Sequence, residues 1–256
     1  MSVVLITGAA SGMGQACALR LANSSNRLVL WDRDADGVDS AAEQVRAAGG
    51  SAETLVIDLA EVDAMTDAVL ELPSRFGQLD GLVHAAGIDA QMPFQDVTEQ
   101  EYDRVMAIDL RAAFFLVQAA GKAMADNGGS MVLFSSVVAR SAAPVWAVYA
   151  MAKSGIISLT WSAAAALGPK IRVNAVCPGL IETPMMSRVI AQKVELGQIS
   201  QDRTQPDQVF EKELERTALK RIASADDVAE VVCYLLEGAG YVTGQTLNVD
   251  GGLWNH

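Results

Sequence analysis

Seven short runs of β-branched and aliphatic residues, at 3–7, 28–31, 54–57, 82–85, 131–135, 171–176 and 246–249, punctuate the chain at fairly even intervals. Their apolarity is almost continuous rather than alternating, the pattern of strands buried on both faces of a parallel sheet. Between them lie Ala- and Glu-rich stretches of helical length, among them 36–48, 61–72, 99–126 and 145–167. This alternation points to an α/β architecture, either a doubly wound open sheet or a closed (β/α)₈ barrel. At 256 residues, with no Pro-, Gly- or Ser-rich linker, one large domain is the simpler organisation.

Charge narrows the partners. The 19 Lys and Arg against 31 Asp and Glu leave −12. So acidic a surface repels phosphate backbones and anionic lipids, and no basic run offsets it, so no nucleic-acid or membrane partner is expected. Hydrophobic residues make up 51% and there are 7 Pro, which excludes disorder and collagen-like repeats. Mean hydropathy is +0.23. Yet no stretch reaches the ~18 apolar residues of a membrane span; residues 112–120 come nearest and are broken by Gln118. No charged segment precedes the first apolar run, so no signal peptide is expected. Cys17, Cys177 and Cys233 are odd in number and widely spaced. They lack the spacing of a zinc site or disulfide framework and read as buried filler in a reducing cytoplasm, with no metal expected.

The first run leads straight into Thr7-Gly8-Ala9-Ala10-Ser11-Gly12-Met13-Gly14, followed by an Ala-rich helical stretch. Glycines there permit a tight turn and let backbone N–H groups approach a pyrophosphate, with the positive end of a helix behind them. Gly8, Ser11, Gly12, Met13 and Gly14 are therefore candidate cofactor contacts. The spacing is GxxxGxG rather than GxGxxG, and glycine turns after strands are common, so the turn alone does not define a dinucleotide site. Asp32 adds to it. A carboxylate ending the second run accepts hydrogen bonds from both adenosine ribose hydroxyls and repels a 2′-phosphate, which favours NAD over NADP. Arg33 would welcome that phosphate, but the Asp32 carboxylate would face it, and Ser11 rather than a basic residue precedes Gly12. Without the glycine turn, Asp32 would read only as a turn residue.

Tyr149 and Lys153 stand four apart in the helical stretch 145–167, hence on one helix face. A phenol near pKa ~10 is a poor base at neutral pH; an adjacent ammonium favours the phenolate and lowers that value. Ser135 and Ser136 close the fifth run at its carboxyl end, where open α/β sheets gather ligands. A hydroxyl there can hold a substrate oxygen beside the phenol. By themselves Tyr149 reads equally as a half-buried helix aromatic and Ser136 as a turn former.

In register along essentially the whole chain, several motifs resemble those of the short-chain dehydrogenase/reductase family. They are residues 7–14, Asp58-Leu59, His84-Ala85-Ala86-Gly87, Ser136 with Tyr149 and Lys153, Asn174 through Gly179, and Asn248 through Gly252. The resemblance implies a Rossmann-type doubly wound parallel sheet of about seven strands in a single domain, 1–256. Ser136 would orient the substrate oxygen, Tyr149 would be the acid/base, and Lys153 would lower its pKa and bond the nicotinamide ribose. Asp58 and the Leu59 backbone would contact adenine. His84, Ala86 and Gly87 would line the cofactor site, and Ile181 and Thr183 would hold the carboxamide. A homotetramer through the stretches 99–126 and 145–167 is also implied, since both carry more Ala and Phe than one core face needs.

Two positions depart from the family pattern. His84-Ala85 stands where asparagines are common, and His84 reads as a hydrogen-bonded strand residue rather than a catalyst. Asp109 stands where an asparagine usually completes a tetrad with Ser136, Tyr149 and Lys153. An ionised carboxylate only accepts hydrogen bonds. Asp109 is retained as a fourth catalytic candidate, whether protonated, paired with a cation, or seated in a differently bent helix.

Residues 183–219 interrupt the rhythm before a helical stretch at 225–237. They read as a helical lid over the substrate, or as a surface excursion without a role. Residues 91–94, Val138, Trp146, Leu180, Met185 and Met186, with Ser136 and Tyr149, would bound a mainly apolar pocket. The methionines would equally serve to pack the lid. The expected activity is reversible hydride transfer between NAD and an uncharged, fairly apolar secondary alcohol or ketone. The competing reading is an NAD-binding protein of low catalytic activity, with a signalling or scaffold role.

Overall fold

The computed structural model describes residues 2–22, 25–195, 197–200, 202 and 204–254. Strand β1 (Val3–Thr7) passes through the glycine turn into α1 (Gly12–Leu21). The step repeats through β2 (Arg27–Asp32), α2 (Ala35–Ala47), β3 (Ser51–Val56), α3 (Val62–Phe76) and β4 (Gly81–His84). Next come α4 (Glu99–Met106), α5 (Ala112–Ala123), β5 (Gly129–Phe134), α6 (Ala147–Leu167) and β6 (Ile171–Pro178). The chain finishes with β7 (Ile181–Glu182), α7 (Pro184–Glu195), α8 (Pro206–Val209), α9 (Glu211–Arg216), β8 (Ala223–Ser224), α10 (Ala225–Cys233) and β9 (Thr246–Val249).

Among the described residues, seven strands pair in parallel in the order β3-β2-β1-β4-β5-β6-β9. The open order excludes the barrel. Strand residues divide by parity between two cores: Val4, Ile6, Leu28 and Leu30 pack with α1, α2 and α10, whereas Val3, Leu5, Val29 and Trp31 pack with α3, α5 and α6. Period-two alternation is therefore present, but both faces are apolar because both are covered. Each large side chain buried this way contributes about 1.5–3 kcal/mol. The three cysteines are unpaired; Cys17 and Cys177 are fully buried, and burial raises the pKa of all three thiols, that of Cys233 to about 12. They remain thiols at neutral pH. Among the described residues no helix is long and apolar enough to cross a membrane.

The sheet order reverses at β1 and β4, and the crevice outside their carboxyl ends is where an open sheet of this kind holds its ligand. Three details differ from the sequence reading. The stretch 99–126 is broken between α4 and α5 by one wider, π-helical turn, Ala107–Arg111, which contains Asp109. Likewise 225–237 is α10 followed by a π-helical turn, Tyr234–Gly238. The third is a two-residue parallel ladder between β7 and β8, closing the excursion 183–222 at its base. A capping box of Ser224 and Asp227 starts α10 there, and Arg221 grips the Asp227 carboxylate at 2.7 and 2.8 Å. Of the expected lid, Leu196, Gln201 and Arg203 lie outside the described residues, as does Met1. The rest forms α7, α8 and α9, with Met186, Val189, Ile190 and Phe210 as a small core of its own.

Candidate active site

A cleft of about 600 Å³ opens at the crevice, lined by Gly8, Ser11, Gly12, Met13, Gly14, Asp32, Arg33, Asp58, Leu59, Ala86 and Gly87. Gly8 has φ +71°, and a Cβ there would lie 2.6 Å from the Ala86 nitrogen, so the turn accepts no side chain. Ser11 is extended and makes no side-chain cap to α1, which leaves the first N–H groups of that helix facing the cleft. Asp32 is fixed by its own loop: one carboxylate oxygen accepts from the Ala10 N–H and the other from the Asp34 N–H, both at 3.1 Å. Each oxygen keeps a lone pair for a hydroxyl donor. Asp58 accepts from the Ala60 N–H at 2.9 Å, and Ile57 and Leu59 beside it offer apolar walls for a flat ring. Unsatisfied helix amides, a held carboxylate and an apolar slot, in that order, fit a dinucleotide.

Several expected contacts fall outside the cleft wall. His84 does not line the cleft; it is buried, with Nδ1 2.8 Å from the Thr7 hydroxyl, and burial and then the Lys153 charge lower its pKa to about 3. It is a neutral strand residue. Ile181 is packed in the core, while Thr183 does line the cleft. Met186 belongs to the lid's own core, and only its neighbour Met185 lines the cleft, because successive residues of a helix point about 100° apart. Val138 and Trp146 sit beside the cleft rather than in its wall. The Val138 N–H donates to the Ser136 oxygen at 3.3 Å, and the Trp146 indole donates to Asp89 at 3.1 Å.

Residues the sequence reading missed also line the cleft: Ile88, Asp89, Arg104, Ile108, Arg188 and Gln192. A signal for two of them existed, since Met185, Arg188 and Gln192 are three and four apart and so share a face of α7. Burial raises the Asp89 pKa, against the Trp146 hydrogen bond and the Arg188 charge. Gln192 reaches across the cleft to donate to the Gln91 carbonyl at 2.9 Å, tying the lid to the loop after β4.

Behind the inner wall of the cleft, formed by Gly87 and Ile88, α6 brings Tyr149 and Lys153 against the end of β5; Ser136, Tyr149, Lys153 and Asp109 do not themselves line the cleft. The Lys153 ammonium lies 5.4 Å from the Tyr149 ring centroid and donates to the Phe134 carbonyl at 3.2 Å. The Ser135 hydroxyl donates to the Lys153 carbonyl at 2.8 Å, and Ser136 hydrogen-bonds the phenol. Asp109 enters from the π-helical turn: one oxygen stands 3.2 Å from the Lys153 ammonium and the other accepts from the Ile88 N–H at 2.8 Å. Burial opposes the Lys153 charge, but Asp109 and Tyr149 outweigh it and raise its pKa above the ordinary lysine value. For Tyr149 burial raises the pKa most, Lys153 lowers it, and Asp109 and Asp89 raise it again, so its net position is above an ordinary tyrosine. The expected lowering by Lys153 is therefore present but outweighed among the protein's own groups. Ser136, Tyr149, Lys153 and Asp109 are nonetheless brought together, four residues from three separate segments.

Fold and cleft together define a dinucleotide-binding α/β enzyme. The family model described as enoyl-(acyl carrier protein) reductase matches residues 8–254. A short-chain dehydrogenase/reductase of Armillaria gallica is 36% identical over 258 residues, covering 98% of this chain and 95% of that protein. An actinorhodin polyketide ketoreductase variant solved with NADPH superposes with a TM-score of 0.91 at 30% identity, covering 100% of this chain and 98% of that one. An NAD⁺-bound xylitol dehydrogenase gives 0.89 at 32% identity, with 98% of both chains covered. This chain belongs to the short-chain dehydrogenase/reductase family: it is an oxidoreductase of a family that binds nicotinamide cofactors.

Proposed function

We propose that the protein transfers hydride reversibly between NAD and a secondary alcohol or its ketone, with Tyr149 as acid/base. The observation that carries this reading is the convergence of Ser136, Tyr149 and Lys153 directly behind Gly87 and Ile88, which line the inner end of the cleft that the glycine turn begins. A bound nicotinamide dinucleotide supplies the hydride acceptor or donor and, when oxidised, a positive charge beside the phenol. In oxidation the Tyr149 phenolate takes the hydroxyl proton as the carbinol carbon loses hydride; in reduction the carbonyl carbon gains hydride and its oxygen takes the Tyr149 proton. Ser136 orients that oxygen, and Lys153 holds the proton-transfer group by charge. Asp32, with a free lone pair on each oxygen, supports NAD, although Arg33 also lines the cleft.

For the substrate we propose an uncharged molecule, apolar where it meets Ile88, Ile108 and Met185. Asp89, Arg104, Arg188 and Gln192 on the lid side suit further hydroxyl or carbonyl groups at its far end. Exposed Phe114 on α5 and Met151 and Trp161 on α6 support a homotetramer, which mass measurement in solution tests. A cytoplasmic location is consistent with the unpaired cysteines. The deciding experiment is a panel of secondary alcohols and ketones assayed with NAD and NADP side by side. Oxidation of secondary alcohols with NAD⁺, or reduction of ketones with NADH, in preference to the phosphorylated dinucleotide is the expected result. A preference for phosphorylated or dicarboxylate substrates would overturn the substrate class. The Asp109–Lys153 pair also favours the second reading, a binder of low activity, and tight NADH binding with no turnover across the panel would select it.

A further inference from the structure

Resting on the reading of Tyr149 as acid/base, we propose that Asp109 is a positioning residue whose charge sets the pH range in which that phenol exchanges its proton. Its carboxylate grips Lys153 directly, where an asparagine would offer only a neutral amide.

The grip is built from both sides. The Ile88 N–H fixes one Asp109 oxygen at 2.8 Å, which presents the other to the Lys153 ammonium at 3.2 Å. Lys153 has three N–H donors. One goes to the Phe134 carbonyl at 3.2 Å, while Asp109 meets the ammonium as an ion pair at 3.2 Å without a hydrogen bond, and the Tyr149 ring lies on another side. Gly87 closes the pair off: a Cβ there would stand 3.0 Å from the ammonium nitrogen and 3.2 Å from the Asp109 oxygen. The two side chains are 5% and 0% exposed, so salt screens them little.

The electrostatic consequence follows from counting charges. Tyr149 faces Lys153, Asp109, Asp89 and the Ser136 hydroxyl. Lys153 faces Asp109 and Tyr149, and His84 behind it is buried and neutral. Arg104 on α4 and Arg188 on α7 line the outer cleft; the Arg104 charge acts on Asp109 and then on Asp89, and that of Arg188 on Asp89. Burial raises the phenol most, Lys153 lowers it, and Asp109 offsets part of that lowering. The phenol stays protonated through neutral pH, ready as the acid of ketone reduction, and alcohol oxidation gains only as pH climbs. The wide turn 107–111 is what carries the carboxylate to this place.

Asp109→Asn keeps the shape and an acceptor for Ile88 while removing the charge. The test reads phenol ionisation by ultraviolet absorbance in cofactor-free protein, as the difference from Tyr149→Phe, alongside the pH profile of kcat/KM for oxidation. Asp109→Asn is expected to move both midpoints down by about one pH unit, giving about tenfold more phenolate at a fixed pH below them. Unmoved midpoints in folded Asp109→Asn overturn the proposal. Should that variant not fold, Asp109→Ser, which also removes the charge, is read the same way: lowered midpoints support the proposal and unmoved ones overturn it. Full turnover in Tyr149→Phe would instead sink the acid/base reading, while the ultraviolet midpoint still reports on Asp109.

Discussion

The two ends of the cleft are made of different material. At the glycine turn the recognising groups are backbone amides and a carboxylate tied to two of them, and their positions are guaranteed by backbone crowding. At the inner end the working groups are side chains carrying opposite charges in a place water hardly reaches. The first end is vulnerable above all to added volume, with the Asp32 carboxylate as the charge that recognises a hydroxyl pair. The second tolerates small changes of shape but not a change of charge, because nothing nearby screens it.

The sharpest way to separate the ends is Tyr149→Phe, which removes one oxygen and leaves the ring. It should lower turnover by about 10²–10⁴-fold, with dinucleotide affinity moving by less than about tenfold in a fluorescence titration. Retention of more than about a tenth of the rate would break the comparison at its inner end. At the other end, Gly8→Ala puts a Cβ against the Ala86 nitrogen at a positive φ. About 1–3 kcal/mol of strain is expected, seen in urea unfolding and as weaker dinucleotide binding, while kcat at saturation changes little. Unaltered binding and stability would show that the turn yields.

The smallest effect tests the wall between the ends. His84 has a pKa of about 3 against an ordinary value of 6.5, so the unfolded chain binds its proton more readily than the folded one. Its contribution to stability is complete above about 6.5 and is lost as pH falls from there toward about 3. His84→Asn should flatten that acid-side decline in urea midpoints without altering the pH profile of turnover. Parallel declines in both proteins would mean that His84 is not held neutral.

The strands and the glycine turn were legible because each is local: apolar runs and turn residues declare themselves within a few positions. Tyr149, Lys153 and Ser136 were legible only jointly, each being ordinary alone. The π-helical turn at 107–111 left no trace, since one extra residue in a coil disturbs composition not at all and periodicity barely. The Asp109–Lys153 contact joins α6 to that hidden turn, so both residues and a cation pairing stood among the open readings while the contact itself was not legible. Choosing Met185 over Met186 needed the phase of α7, and the β7–β8 ladder is too short for any pattern to show.

The β7–β8 ladder has a consequence for how the excursion can change. The Ala223 N–H donates to the Leu180 carbonyl at 3.0 Å, so the excursion's entry and exit are stitched together like the neck of a purse. Closing such a neck costs only about 0.6 kcal/mol more for each doubling of the enclosed length. The stretch from 184 to 216 is thereby open to lengthening, trimming or exchange with little tug on β6; farther on, the Leu219 N–H donates to the Gly251 carbonyl at 3.0 Å and moors the exit beside β9.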